Sequence, residues 1–176
     1  LAEWLFGRLE ADEEIVGFES LARFSSVPPR TPDLWFEDAT RVGLGDQLEA
    51  RAIECALARG LPSDSVYVAC NVSPELVLNG HLPAALRQGD LSRIVLEITE
   101  HSTVQDYAKL ELALRPLRAR GMRLAVDDAG AGHSSFRHVL RLRPEYIKLD
   151  MSLTRSIDTD SARRALAAAL IGFARE

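Results

Sequence analysis

The strongest constraint in this sequence is a rhythm. Short β-rich apolar runs recur along the chain: IVGFESLARF (15–24), SVYVACN (65–71), RIVLEIT (93–99), MRLAVDD (122–128) and EYIKLD (145–150). Longer helical patterns lie between them. Thr31-Pro32-Asp33 predicts a helix start, with Thr31 as cap and Pro32 at the first helical position. From Gly45 to Arg59, apolar residues at 48, 52, 53, 56 and 57 share a face, and Gly60 ends the pattern. A second pattern runs from Thr103 to Arg120, with Pro116 expected to disturb its last turns. Ser161 to Glu176 is Ala-rich and helical. Strand followed by helix at this spacing means βαβ units and a mostly parallel sheet. The chain is therefore α/β, as one domain over residues 1–176. Two architectures remain, a doubly wound sheet or a (β/α)₈ barrel.

Polar residues decide between them. No G-x-G-x-x-G follows the first run. Instead Asn71, Glu97, Asp127 and Asp128 stand at C-terminal strand ends, and Lys148 is near the end of its own strand. Alternation in RIVLEIT puts Val95, Glu97 and Thr99 on one face and Ile94, Leu96 and Ile98 on the other. The apolar face can meet helices. The other carries a carboxylate, which survives burial only near an open mouth or on a cation. Polar groups converging at strand C-termini are what the active face of a barrel requires.

Glu19, Asn71, Glu97, Asp127, Asp128 and Lys148 thus line up as a candidate site. Five of them offer hard oxygen donors, which suit Mg²⁺, Mn²⁺ or Ca²⁺ and not zinc or copper. Adjacent carboxylates can serve two cations, the arrangement of two-metal phosphoester hydrolysis, and a lysine beside them can hold a phosphate or the attacking water. Cys55 and Cys70 lack metal-type spacing, and Cys70 is expected in the core. The net charge of −5 argues against broad nucleic-acid binding. No apolar stretch is long enough for a membrane span, no signal peptide is visible, and the cysteine usage fits a cytoplasmic setting.

These residues carry a family resemblance. GFESLAR (17–23), NVSPEL (71–76), LEITE (96–100), DDAGAGHSS (127–135) and IKLD (147–150) resemble, in order and over essentially the whole chain, the motifs of the EAL domain. That is the bacterial family of cyclic di-GMP phosphodiesterases. The resemblance implies a TIM-like barrel whose first strand runs against the others. It implies that Glu19, Asn71, Glu97 and Asp127 ligate Mg²⁺ or Mn²⁺, with Asp128 serving a second ion. Lys148 would contact the metal's water or the phosphate. Leu21 and Arg23 would line the substrate site, with Arg23 pairing with a phosphate. Glu100 would hold the loop that begins at Asp127 and links the metal site to a dimer interface.

The chain also departs from the family. Ala129 and His133 stand where it has aromatics, and Leu5-Phe6 where it has Gln-Pro. Relative to the family, about two C-terminal βα units, with the general base, are expected to lie beyond Glu176, so the sequence reads as an incomplete domain of a longer protein. Two functions follow from the resemblance. One is metal-dependent hydrolysis of cyclic di-GMP to linear pGpG in second-messenger signalling, in a homodimer joined to sensor or GGDEF domains. The other is a degenerate module that binds cyclic di-GMP or a protein partner without catalysis.

Overall fold

The computed structural model describes residues 2–9, 15–25, 27–61, 63–99, 103–129 and 134–174, with residues 2–9 and 134–135 described by backbone alone. Six strands form one sheet in the order β1-β2-β3-β4-β5-β6. They are β1 (Ala2–Leu9), β2 (Ile15–Ala22), β3 (Tyr67–Asn71), β4 (Ile94–Thr99), β5 (Arg123–Ala129) and β6 (Tyr146–Leu149). β1 pairs antiparallel with β2. Every later pairing is parallel. The result is a half-barrel, five parallel strands with one opposed strand at the edge, as the resemblance implied. The alternation pattern did not reveal β1.

The helices are α1 (Pro32–Arg41), α2 (Gly45–Ala58), α3 (Pro74–Leu78), α4 (Leu82–Ala85), α5 (Tyr107–Arg118), α6 (Ser134–Leu142), α7 (Met151–Thr154) and α8 (Ser161–Ala174). One boundary and two details differ from expectation. Thr31 occupies the N-cap position of α1, but its side chain makes no capping hydrogen bond. α5 begins at Tyr107 rather than near Thr103, because the Asp106 carboxylate accepts the Lys109 N–H at 3.0 Å. A carboxylate is the stronger cap. Pro116 lies inside α5 without ending it. The N–H it lacks would have met Leu112, which is 60% exposed, so water can serve that carbonyl.

The sheet separates two apolar layers as the alternation predicts. Val68, Cys70, Ile94, Leu96, Ile98 and Leu124 face outward and pack with Ile53, Leu76, Leu110, Leu114 and Leu117 of the helices. Each such side chain contributes about 1.5–3 kcal/mol by leaving water. Tyr67, Ala69, Val95 and Ala125 form the inner layer, with Val16 and Tyr146 against it. Near the N-terminal ends of the parallel strands, Tyr67 and Tyr146 stack with ring centroids 5.7 Å apart. The Arg123 guanidinium lies 5.0 Å from the Tyr67 ring and 5.4 Å from that of Tyr146. This aromatic plug sits at one end of the inner layer, and the other end holds the acids.

Candidate functional site

Register places the polar residues before any side chain is considered. Glu19 pairs with Ala69, Asn71 with Glu97, and Thr99 with Asp127. Parallel neighbours in register share a face, so Glu19, Asn71, Glu97 and Asp127 all belong to the inner layer at the C-terminal ends. The pairing of β5 with β6 contains a bulge. Val126 faces Ile147 and Ala129 faces Leu149, so two aspartates oppose the single residue Lys148. Asp128 takes up the extra residue at φ 57°, a left-handed conformation that aspartate tolerates better than most residues. Its N–H donates to Asp127 Oδ1 at 3.0 Å. The bulge breaks the strict alternation of β5 at these two aspartates.

Lys148 lies at the centre. Its Nζ donates to Glu19 Oε2 at 3.1 Å, Glu97 Oε2 at 2.7 Å and Asp127 Oδ2 at 2.8 Å. Glu97 is fully buried. Glu19, Asp127 and Lys148 each keep 16–19% of their side-chain surface exposed, which marks an open mouth above a dry floor. Burial disfavours the Lys148 ammonium. The Glu97 charge, the hydrogen bonds to Asp127 and Glu97, and the Glu19 charge outweigh burial and hold its pKa above the ordinary lysine value.

The donor set suits a hard divalent cation. One oxygen from each of Glu19, Glu97 and Asp127 lies within 4.8 Å of the others. Ligands on one Mg²⁺ are at most about 4.2 Å apart and on one Ca²⁺ about 5 Å. The three carboxylates already converge on one positive centre, and with Lys148 included the group still carries two excess negative charges. Their chemistry and spacing fit an Mg²⁺-, Mn²⁺- or Ca²⁺-type ion.

The other expected site residues are placed less centrally. Asn71 is exposed at the end of β3, beside Glu97 in register. Asp128 is half-buried and outside the three-carboxylate group. Leu21 and Arg23 follow Glu19 along the mouth, and Arg23 Nη1 donates to the Ala22 carbonyl at 2.9 Å. Glu100 and His133 lie outside the described residues, as do the side chains of Leu5 and Phe6. One contributor escaped sequence reasoning. Glu49 of α2 reaches Ser73, two residues past Asn71. The available signal was a carboxylate at position 49 on the helix face that also carries Ile53 and Ala56, both buried.

Comparison with known proteins agrees with this fold. Residues 10–176 match the EAL domain family. A relative in Caulobacter vibrioides, named as an uncharacterized signaling protein, is 34% identical over 94% of this chain and 22% of its own length. The solved PaMucR phosphodiesterase, in complex with c-di-GMP, superposes with a TM-score of 0.81 at 25% identity, over 99% of this chain and 80% of that one. Klebsiella pneumoniae BlrP1, solved with manganese and c-di-GMP at pH 6, gives 0.78 at 26% identity, over 96% of this chain and 44% of that one. The chain spans about a fifth of the length of the first curated relatives it matches.

Proposed function

Since the chain belongs to the EAL domain family, we propose that the protein carrying it hydrolyses cyclic di-GMP to linear pGpG, using Mg²⁺ or Mn²⁺. The observation that carries this reading is the convergence of Glu19, Glu97 and Asp127 on one cationic point at the mouth of the half-barrel. Solved relatives in complex with c-di-GMP and manganese or calcium support it.

In this reading Glu19, Asn71, Glu97 and Asp127 hold one divalent ion and Asp128 serves a second. When bound, the cation polarises the phosphoryl oxygens and makes water more acidic. Water attacks phosphorus, one P–O bond of the ring breaks, and the products are a phosphate monoester and a free hydroxyl. Lys148 hydrogen-bonds the attacking water or a phosphate oxygen and offsets the charge that develops there. Arg23 pairs with a phosphate, Leu21 lines the substrate site, and Glu100 holds the loop after Asp127. A homodimer and linked sensor or GGDEF domains belong to the same reading. No helix among the described residues is long and apolar enough to cross a membrane.

The test is conversion of cyclic di-GMP to pGpG by the full protein with Mn²⁺, beside its Glu19→Ala variant. Turnover that disappears in the variant is expected. Equal turnover in both overturns the assignment of Glu19. An intact protein that binds the dinucleotide without turnover makes the domain a binding module.

A further inference from the structure

Asn71 stands at the end of β3, where the sheet stops supporting the backbone, and Pro74 opens α3 three residues later. Something must fix the short turn between them if the amide at position 71 is to hold a metal ion. The Val72 N–H donates to the Glu97 carbonyl at 2.9 Å, which ties the near side of the turn to β4. The far side is held from α2. Glu49 accepts the Ser73 N–H with one carboxylate oxygen. Its other oxygen accepts the Ser73 hydroxyl at 2.6 Å. The same hydroxyl accepts the Leu76 N–H at 3.1 Å and so caps α3.

One helical turn earlier, Asp46 accepts the Asn79 side-chain amide at the other end of α3. Two carboxylates three residues apart on α2 therefore pin α3 at both its ends. Burial pushes the Glu49 carboxyl above the ordinary glutamate range. The two Ser73 hydrogen bonds oppose that rise, and the Asp46 and Glu75 charges add to it. A partly buried carboxylate between two like charges is a costly way merely to join two helices, because an apolar contact would serve as well. What a bidentate carboxylate adds is direction, since it fixes both donors of a single residue.

We propose that Glu49 is a positioning residue for Asn71, fastening both donors of Ser73 so that the β3–α3 turn presents the Asn71 amide beside Glu97. The inference rests on the reading of Asn71 as a metal ligand given above. Partners of this kind orient the ligand rather than touch the metal, and their loss typically weakens metal affinity about 10- to 100-fold.

The experiment is Mn²⁺ titration of the full protein, followed by the electron paramagnetic resonance signal of free Mn²⁺. The variants are Glu49→Ala, Glu49→Gln, Asn71→Ala, the Glu49→Ala/Asn71→Ala double variant and Asp127→Asn. Glu49→Ala is expected to weaken Mn²⁺ binding about tenfold or more. The double variant is expected to bind no worse than Asn71→Ala alone, because Glu49 acts through Asn71. Glu49→Gln keeps an oxygen for the Ser73 N–H and should bind closer to wild type than Glu49→Ala. Should Glu49→Ala not fold, Glu49→Gln replaces it in the cycle, with the same non-additivity expected. Additive losses, or wild-type affinity in the Glu49 variants while Asp127→Asn binds poorly, overturn the positioning role alone. Unchanged affinity in Asp127→Asn overturns the metal reading and this inference with it.

Discussion

Lys148 is the residue on which the site depends. Its ammonium is the shared partner of three carboxylates, one of them fully buried. Removing one partner from such a group costs about 3–5 kcal/mol, because the remaining charges are left uncompensated. Lys148→Met should therefore lower the thermal midpoint of the metal-free protein. Divalent cations should restore more stability to this variant than they add to wild type, since they take over the missing positive charge. Melts with and without Mn²⁺ check both statements, and a variant as stable as wild type without metal would refute the first. Cys70, on the opposite face of β3, gives a second test. Burial, with help from the Glu97 charge, pushes its thiol up to about 12 from 9.0. An unfolded chain loses this proton above about pH 9 and the folded chain keeps it, so stability falls as pH rises through that window. One such group gives a slope of about 1.4 kcal/mol per pH unit. Lys148 acts in the same sense at higher pH, so the difference between wild type and Cys70→Ala isolates the thiol. Denaturant unfolding between pH 8.5 and 10.5 should show a shallower decline for Cys70→Ala.

Among the elements, β2 and β3 meet most tightly where Gly17 lies over the Tyr67 ring. A Cβ at position 17 would stand 2.5 Å from Tyr67 Cε2. The ring cannot yield freely, because it is stacked on Tyr146 with the Arg123 guanidinium against it. Gly17→Ala should cost about 1–3 kcal/mol, the usual cost of overpacking. Gly172→Ala on α8 meets nothing within 4 Å and should be neutral or slightly stabilising. Urea midpoints of the two variants make the comparison, and equal midpoints would show that the plug is loose. At this scale the strands of the parallel sheet were legible, because alternation in RIVLEIT and YVACN reports which face is apolar. α3, α4 and α7 were not legible, because four or five residues carry too little helical period, and the nine-residue α6 was not expected either.

At the largest scale, six strands among the described residues make a half-barrel with β1 and β6 at its edges. The acids at its mouth are turned toward a cation, and among the described residues none of Glu19, Glu97 and Asp127 is spare to take a proton from water. A positioned general base is worth about 10²–10⁴-fold in rate, and loosely held ligands cost about another 10²-fold. Proton removal from water therefore falls to a group other than these three, and Asp127→Asn should lose most of the thermal stabilisation that millimolar Mn²⁺ gives the folded protein. Melts of wild type and variant with and without Mn²⁺ check this, and an equal rise in both would refute it. The sequence by itself determined the α/β class, the inward and outward faces of the strands and the acids at their C-terminal ends. Each of these is a local consequence of a two-residue pleat and of apolar burial. Only the tertiary structure decided that Lys148 gathers Glu19, Glu97 and Asp127, that β5 bulges at Asp127 and Asp128, and that Glu49 reaches Ser73. Those contacts join residues 129, 51, 21 and 24 positions apart. No local pattern encodes such distances, because strand register and helix docking set them after the elements have formed.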